Sequence, residues 1–409
     1  MSWEVHIDWQ GETHLVGRLH TAGRGPAVSF EYAPEWRQRA RAFPIDPVTL
    51  PLQSGAQHSP VLFGAIHDCG PDRWGRILIE RAVRKHLLDQ KPYRDLDYLL
   101  ALDDATRLGA LRFRADSASP FLAVSTGKLP PLIRLPALLR AADAIHGETD
   151  TAEDLRFLLG AGSPLGGARP KSAVSLADGR LALAKFPKPD DTRDIAAGEI
   201  LALTLAAKAG LRVAEHQRVP VGGHSVSVIT RFDRVGNARI PFISGASLLA
   251  LGPDDPGAYT RLADAIRQYG HDVAGDLCEL WRRLIFSLLI CNHDDHLHNH
   301  GFLMREPGRW SLSPAYDLNP VPEIDRVRVN KTPISENPGE DGIAGALAVA
   351  GRFGMDESTA KIMLREIFTT VSGWRQTGAR LGLKAATLAA YASAFEHEVM
   401  AEAGQLFGK

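Results

Sequence analysis

The feature that most constrains this chain is a junction near residue 291. An apolar run, Leu284 to Cys291 (LIFSLLIC), closes what reads as a helix starting at Asp272. It passes directly into Asn292-His293-Asp294-Asp295-His296-Leu297-His298-Asn299-His300, where eight of nine residues are polar and four are histidine. A strand-like Gly301-Phe302-Leu303-Met304 follows. A solvated, histidine-rich loop is the plain alternative. Imidazole and carboxylate are also good transition-metal ligands, so one sharper reading is a metal-dependent hydrolase using His293, Asp294, His296 and His298 within the 293–300 cluster. No HExxH pattern supports it.

Spacing offers a second reading. Asp294 and Asn299 stand five positions apart, the D-x-x-x-x-N interval of a kinase catalytic loop. In such loops the Asp accepts the proton of the attacking hydroxyl and the Asn holds a metal ion. A second metal-binding Asp is expected one strand hairpin later. Asp317, 23 residues on, lies in Ser313-Pro314-Ala315-Tyr316-Asp317, where a kinase DFG Asp would lie, although those letters are absent. Phosphoryl transfer also needs a cation on the nucleotide phosphates. Lys185 ends the strand-like Leu181 to Ala184, and Glu199 follows 14 residues later on the next helix, placed like the glutamate that holds such a lysine. Upstream, Gly162 to Ser172 contains a Gly-rich turn able to bring backbone N–H groups close to phosphate. It is neither a P-loop nor G-x-G-x-x-G, because Pro170 stands where G-K-[ST] needs Gly.

The remaining chain is consistent with a soluble, multi-domain protein. Its 409 residues suggest two to three domains, with ample length for a core. Hydrophobic residues are 44% and charged residues 23%, which excludes a disordered chain or a coiled-coil rod. Lys plus Arg is 47 and Asp plus Glu is 48, so the net charge of -1 disfavours direct nucleic-acid binding. The three scattered cysteines, Cys69, Cys278 and Cys291, indicate neither a disulfide framework nor a zinc ribbon. Glu4 and Asp8 interrupt the N-terminus where a signal peptide needs an apolar core, and no apolar run reaches membrane length. A cytoplasmic location is expected.

Alternation at Val5, Ile7 and Trp9, then Leu15 and Val16, then Val28 and Phe30, predicts strands. Pro47 to Pro60 reads as a loop, and Asp72 as the cap of a helix to about His86. A Ser/Pro/Gly-rich boundary covers 116–135. Helices are expected over Ile133–Ile145, Thr151–Leu159 and Arg193–Ala209, with strands at Ser172–Leu176, Leu181–Phe186, around Val213, and at His224–Thr230. Beyond about 241 the pattern is helical: Tyr259–Tyr269, Asp272–Cys291, Asp356–Val371 and Ala385–Met400. The expected division is an N-terminal α+β subdomain (1–115), a small β-rich lobe (116–240) and a large helical lobe (241–409), an α+β class overall.

Several motifs in one order resemble the HipA family of bacterial toxin serine/threonine kinases. They are Gly17-Arg18-Leu19, Phe30-Glu31-Tyr32, Gly70-Pro71-Asp72-Arg73-Trp74-Gly75, Gly166-Gly167-Ala168-Arg169-Pro170-Lys171, Lys185-Phe186-Pro187, Thr230-Arg231-Phe232-Asp233-Arg234, the Asn292–Asn299 cluster and Ala315-Tyr316-Asp317-Leu318. The resemblance covers nearly the whole chain and implies a two-lobed, protein-kinase-like fold behind the N-terminal subdomain. It implies Asp294 as catalytic base with His296 in the same loop, and Asn299 and Asp317 as Mg²⁺ ligands. Nucleotide contacts would come from Gly166, Gly167, Ala168, Lys171, Lys185, Glu199 and Tyr316. Thr230 to Phe232 would form the hinge at adenine, with Asp233 near the ribose. ATP and Mg²⁺ are the implied cofactors. The implied partner is a small helix-turn-helix antitoxin, and through it operator DNA. The implied outcome is growth arrest by phosphorylation of a translation-related protein; a non-catalytic antitoxin-binding scaffold is the third reading. Two positions depart from the family. Pro164, beside Ser163, occupies the place of the autophosphorylated loop serine, so poor phosphorylation at Ser163 is expected. Phe242 to Leu249 also looks unlike the corresponding stretch of relatives.

Overall fold

The structure, a computed structural model, describes residues 1–21, 25–122, 129–161, 167, 169–252, 254–325, 331–337 and 339–408. The chain divides into two compact units, residues 1–190 with 219–248, and residues 191–218 with 249–409.

The first unit holds two sheets. A five-stranded antiparallel sheet is built from β1 (Ser2–Trp9), β2 (Glu12–Thr21), β3 (Val28–Tyr32), β4 (Ala56–Ser59) and β5 (Leu111–Arg114), in the order β4-β3-β2-β1-β5. The alternating residues Val5, Ile7, Val28 and Phe30 are all buried, as period-two patterning requires. β4 lies inside the stretch read as a loop. It is an edge strand, Ala-Gln-His-Ser, pairing Phe30 with Gln57. Without an apolar alternation it gives no strand signal.

The second sheet runs β6-β7-β9-β8, from β6 (Lys171–Ser175), β7 (Leu181–Lys185), β8 (His216–Val221) and β9 (His224–Thr230). Of β8, residues 219–221 belong to this unit. The strand expected around Val213 is displaced to β8, and Val213 itself makes only an isolated bridge to Ala315. The helix Arg73–Arg84 starts where expected, with Asp72 as its cap. Its Trp74, Leu78 and Ile79 share one apolar cluster with Leu138 and Leu158 of the helices Leu135–His146 and Ala152–Ala161, and with Val174, Ala184 and Val228 of the second sheet. The N-terminal segment and the second sheet therefore bury a common core.

The second unit is mainly helical. The helix Val273–Leu289 is its buried spine, flanked by Tyr259–Tyr269 and Glu357–Ser372. A hairpin, Gly301–Glu306 with Arg309–Leu312, follows the polar junction. The helix Ile195–Lys208 belongs here, and its Gly198 is required by a close approach, since a Cβ would meet the Tyr391 hydroxyl at 2.3 Å. The continuous helix expected over 385–400 is instead three pieces, Ala385–Ala390, Ala392–Phe395 and Glu398–Gln405. The breaks fall at Tyr391, whose buried hydroxyl donates to the Asp194 carbonyl at 2.9 Å, and at extended His397. No helix among the described residues is long and apolar enough to cross a membrane.

Candidate active site

In the helical unit the spine helix ends at Ile290, and Cys291 turns the chain with φ of +52°. The two adjacent carboxylates beyond it have opposite fates. Asp295 is buried at 7% exposure. It accepts from the Tyr259 hydroxyl, accepts from Ser287 Oγ at 3.0 Å, and lies 3.0 Å from His300 Nε2. Burial alone would raise the Asp295 carboxyl; His300 and these donors overcome it and lower it below the ordinary carboxylate value. Burial, and then the Asp295 charge, push the Tyr259 hydroxyl well up, so it stays a protonated donor. Asp294, by contrast, keeps 55% of its side chain exposed and pairs with Lys331.

Asn299 Nδ2 donates to the Asp294 carbonyl at 3.3 Å, closing the loop on itself. A short 3₁₀ turn, Leu297–Asn299, carries it. Asp317 is reached through the hairpin and sits at φ of +58°, a left-handed conformation that costs about 1–3 kcal/mol at a non-glycine residue. Asn319 Nδ2 steadies it by donating to its carbonyl at 3.1 Å and to Oδ1 at 3.0 Å. The Asn319 backbone N–H donates in turn to Asn292 Oδ1 at 3.3 Å, and the Tyr316 hydroxyl donates to the His298 carbonyl at 2.7 Å. The Asp294–Asn299 and Asp317 loops are thereby laced together. Beneath them, Arg283 pairs with Glu279 at 2.8 Å and donates to the Ser313 carbonyl at 2.5 Å, fixing the segment that delivers Asp317.

Asn299 and Asp317 offer oxygens, which suits a hard divalent cation such as Mg²⁺. Among the described residues no three His, Cys, Asp or Glu side chains converge on a metal position. His300 is turned to Asp295, and the His296 and His298 rings meet edge to face at 5.8 Å.

The first unit carries the other expected residues except Glu199. Lys185 ends β7, is buried, and pairs in register with Lys171 and Ser227 on its two sides. Glu199 lies buried in the Ile195–Lys208 helix of the second unit. Lys171 faces Asp72 at 2.5 Å. Thr230 ends β9 opposite Ala182, and the Phe232 ring lies 6.4 Å from that of Phe242. Asp233, expected beside the ribose, has no exposed surface. It accepts from Arg231 Nε at 2.6 Å, from the Gly109 N–H at 2.8 Å and from Arg234. Burial would raise its carboxyl, but the two guanidinium groups hold it at about 2. Its carboxylate is thus committed to tying the N-terminal segment to the end of β9. Phe242 to Leu248 forms a short strand and a helical turn, and Ser244 donates through N and Oγ to half-buried Asp68 at 2.7 and 2.9 Å. Gly166, Ala168, Ser163 and Pro164 lie outside the described residues. The residues that sequence reasoning missed are Tyr259, Ser287, Asn319 and Lys331. None belongs to a spacing pattern; only a partnered carboxylate reveals them.

Two family models match the chain, the HipA N-terminal domain over residues 8–114 and the HipA-like C-terminal domain over residues 163–374. The Shewanella oneidensis HipA, solved in a toxin–antitoxin complex with HipB and operator DNA, superposes with a TM-score of 0.72, covering 99% of this chain and 97% of that one at 17% identity. That likeness shows the fold, α+β and protein-kinase-like. Y4mE of Sinorhizobium fredii, a kinase by name, is 26% identical over 348 residues, 77% of this chain and 76% of its own length. A Haemophilus influenzae protein, also a kinase by name, is 28% identical over 156 residues, 34% of this chain and 46% of its own length.

Proposed function

The chain belongs to the HipA family, and from that premise we propose that it is an ATP- and Mg²⁺-dependent protein serine/threonine kinase acting as the toxin of a toxin–antitoxin pair. The observation that carries the reading is the split between two neighbouring carboxylates. Asp295 is buried and fully engaged, while Asp294 stays exposed on a loop that Asn299 closes and Asn319 laces to Asp317. A general base needs both accessibility and a fixed backbone, and Asp295 supplies the second to Asp294.

The roles then divide as follows. Asp294 accepts the proton of a Ser or Thr hydroxyl and orients its oxygen. Asn299 and Asp317 hold Mg²⁺ through their side-chain oxygens. When bound, that ion neutralises charge on the phosphates. Lys185 sets an ammonium against the nucleotide phosphates. Thr230 to Phe232 meet the adenine, and Tyr316 holds the metal-binding segment against the catalytic loop through the His298 carbonyl. The partner is a helix-turn-helix antitoxin that brings the pair to operator DNA, which fits a chain of net charge -1. The phosphorylated target belongs to the translation machinery, and the compartment is the cytoplasm.

The test is phosphate transfer from labelled ATP by wild type and Asp294→Asn. Loss of about 10²–10⁴-fold is expected, with melting temperature close to wild type because Asp294 is exposed. Stabilisation of wild type by ATP with Mg²⁺ is expected in the same preparation. Full activity in a folded Asp294→Asn protein removes Asp294 from the role of base.

A further inference from the structure

Asp317 stands in a conformation that side chains other than glycine rarely adopt, with φ of +58°. The asparagine two residues on answers for both its backbone and its carboxylate. Asn319 Nδ2 donates to the Asp317 carbonyl at 3.1 Å and to Asp317 Oδ1 at 3.0 Å. Both partners only accept, so the amide must turn its NH₂ toward them. Asn319 is itself held from the other side. Its backbone N–H donates to Asn292 Oδ1 at 3.3 Å, and Pro320 after it favours extended backbone. Asn292 is buried; its Nδ2 donates to Ser287 Oγ at 3.4 Å and its N–H to the Ser287 carbonyl at 2.9 Å. Ser287 Oγ donates in turn to Asp295 at 3.0 Å. Beyond Pro320, the Val321 N–H donates to the Cys291 carbonyl at 3.3 Å. A continuous path thus runs from the spine helix through Asn292 and Asn319 to Asp317, all within the helical unit.

The bond to the Asp317 carbonyl is enough to close this turn. The second bond, to Oδ1, adds nothing to the course of the chain; it sets where the carboxylate points. Hydrogen-bond partners of a metal-binding carboxylate act in this way, and losing one costs about 10–100-fold in metal affinity. We propose that Asn319, held by Asn292, is the positioning residue for Asp317 and sets the affinity of this site for its divalent cation. This rests on the kinase reading above, in which Asp317 is a metal ligand.

The test reads metal binding without turnover. Mn²⁺, which shares the oxygen preference of Mg²⁺, is titrated into the full-length protein with a non-hydrolysable ATP analogue, and free Mn²⁺ is followed by electron paramagnetic resonance. Asn319→Leu keeps similar bulk and removes the donor. Its dissociation constant for Mn²⁺ should rise by about 10–100-fold, and kcat should recover as Mg²⁺ is raised. A folded Asn319→Leu protein with wild-type Mn²⁺ affinity overturns the proposal, whatever its turnover. Asn319→Ser covers the case in which leucine folds poorly. A hydroxyl has one hydrogen and cannot serve both acceptors, so a rise in the same direction is expected, and wild-type affinity again overturns the proposal. Asn292→Ala leaves the side chains of Asn319 and Asp317 intact and should give a smaller rise; no rise overturns the part given to Asn292. Asp317→Asn separates the two levels of inference. If wild type binds no Mn²⁺ with the analogue, or Asp317→Asn binds it as wild type does, the metal role of Asp317 has failed and Asn319 falls with it. Weakened binding in Asp317→Asn with unaffected Asn319 variants rejects the positioning role alone.

Discussion

Two buried aspartates, one in each unit, solve the same problem by different chemistry. Asp233 in the β-rich unit is held by two guanidinium groups and a backbone N–H. Asp295 in the helical unit is held by two hydroxyl groups and an imidazole. In both, burial works to raise the carboxyl and the partners more than offset it. The partners differ because the tasks differ. Arg231 and Arg234 also donate to the carbonyls of Thr106, Arg107 and Gly109, so the Asp233 cluster joins two stretches of chain over 120 residues apart. Asp295 is tied by short, compact donors that fix a single loop and leave its neighbour Asp294 at the surface. Charge pairs serve as a long-range joint, and hydroxyl groups serve as a local brace.

If that contrast is right, the largest stability effect belongs to Asp233→Asn. It leaves two guanidinium groups buried without their counter-ion, and breaking a buried pair this way costs about 3–5 kcal/mol. Chemical denaturation of the β-rich unit reads this. A cost below that of Asp295→Asn breaks the comparison.

Acid should expose the same joint. The carboxyl of Asp233 sits at about 2 in the folded protein, below roughly 3.9 in an unfolded chain. A depressed folded pKa gives stability that is complete above about pH 4 and drains away as pH falls toward about 2. One such group contributes about 2–3 kcal/mol. The stability gap between wild type and Asp233→Asn should therefore narrow over that window. A gap independent of pH means that the charge of Asp233 is not what holds the joint.

Asp295→Asn comes next. The amide leaves hydroxyl donors poorly matched, at about 1–3 kcal/mol. Its more telling effect is on phosphate transfer, which should fall by at least about tenfold as the Asp294 loop loosens. Loss of stability without loss of turnover reduces Asp295 to a structural residue and leaves Asp294 unbraced.

The legible parts of the molecule are those whose signal is local. Period-two strands, the Asp72 cap and the five-residue step from Asp294 to Asn299 all live within one element, so the sequence carries them. The Ala385–Met400 helix misleads because alanine-rich composition is helical by propensity, while the breaks come at Tyr391, whose hydroxyl is held by the Asp194 carbonyl, and at extended His397. The edge strand Ala56–Ser59 is silent because its partner, not its pattern, defines it. The same holds for the site: spacing marks Asp294, Asn299 and Asp317, but the role of Asp295 needs Tyr259, which lies 36 residues away. Asp233 could not be assigned a buried joint from its neighbours alone, since Gly109 and Thr106 come from the other family segment.

The smallest expected effect concerns Lys331. It pairs with Asp294, but both side chains are about half exposed, at 51% and 55%. Exposed pairs gain little, because water competes for both charges and two long side chains lose freedom. Lys331→Ala should therefore change stability by less than about 1 kcal/mol, and the change should shrink further as salt is raised, since screening acts on exposed charges first. Turnover is the sharper readout. An ammonium beside the proposed base either guides the incoming phosphate or merely rests there between turnovers. Guidance predicts a fall in phosphate transfer that salt mimics in wild type, whereas resting contact predicts no fall or a gain as Asp294 is released. Denaturant midpoints at low and high salt, with transfer rates measured alongside, decide it. A stability loss above about 2 kcal/mol would place Lys331 with the buried braces of the helical unit and erase the distinction drawn between Asp294 and Asp295.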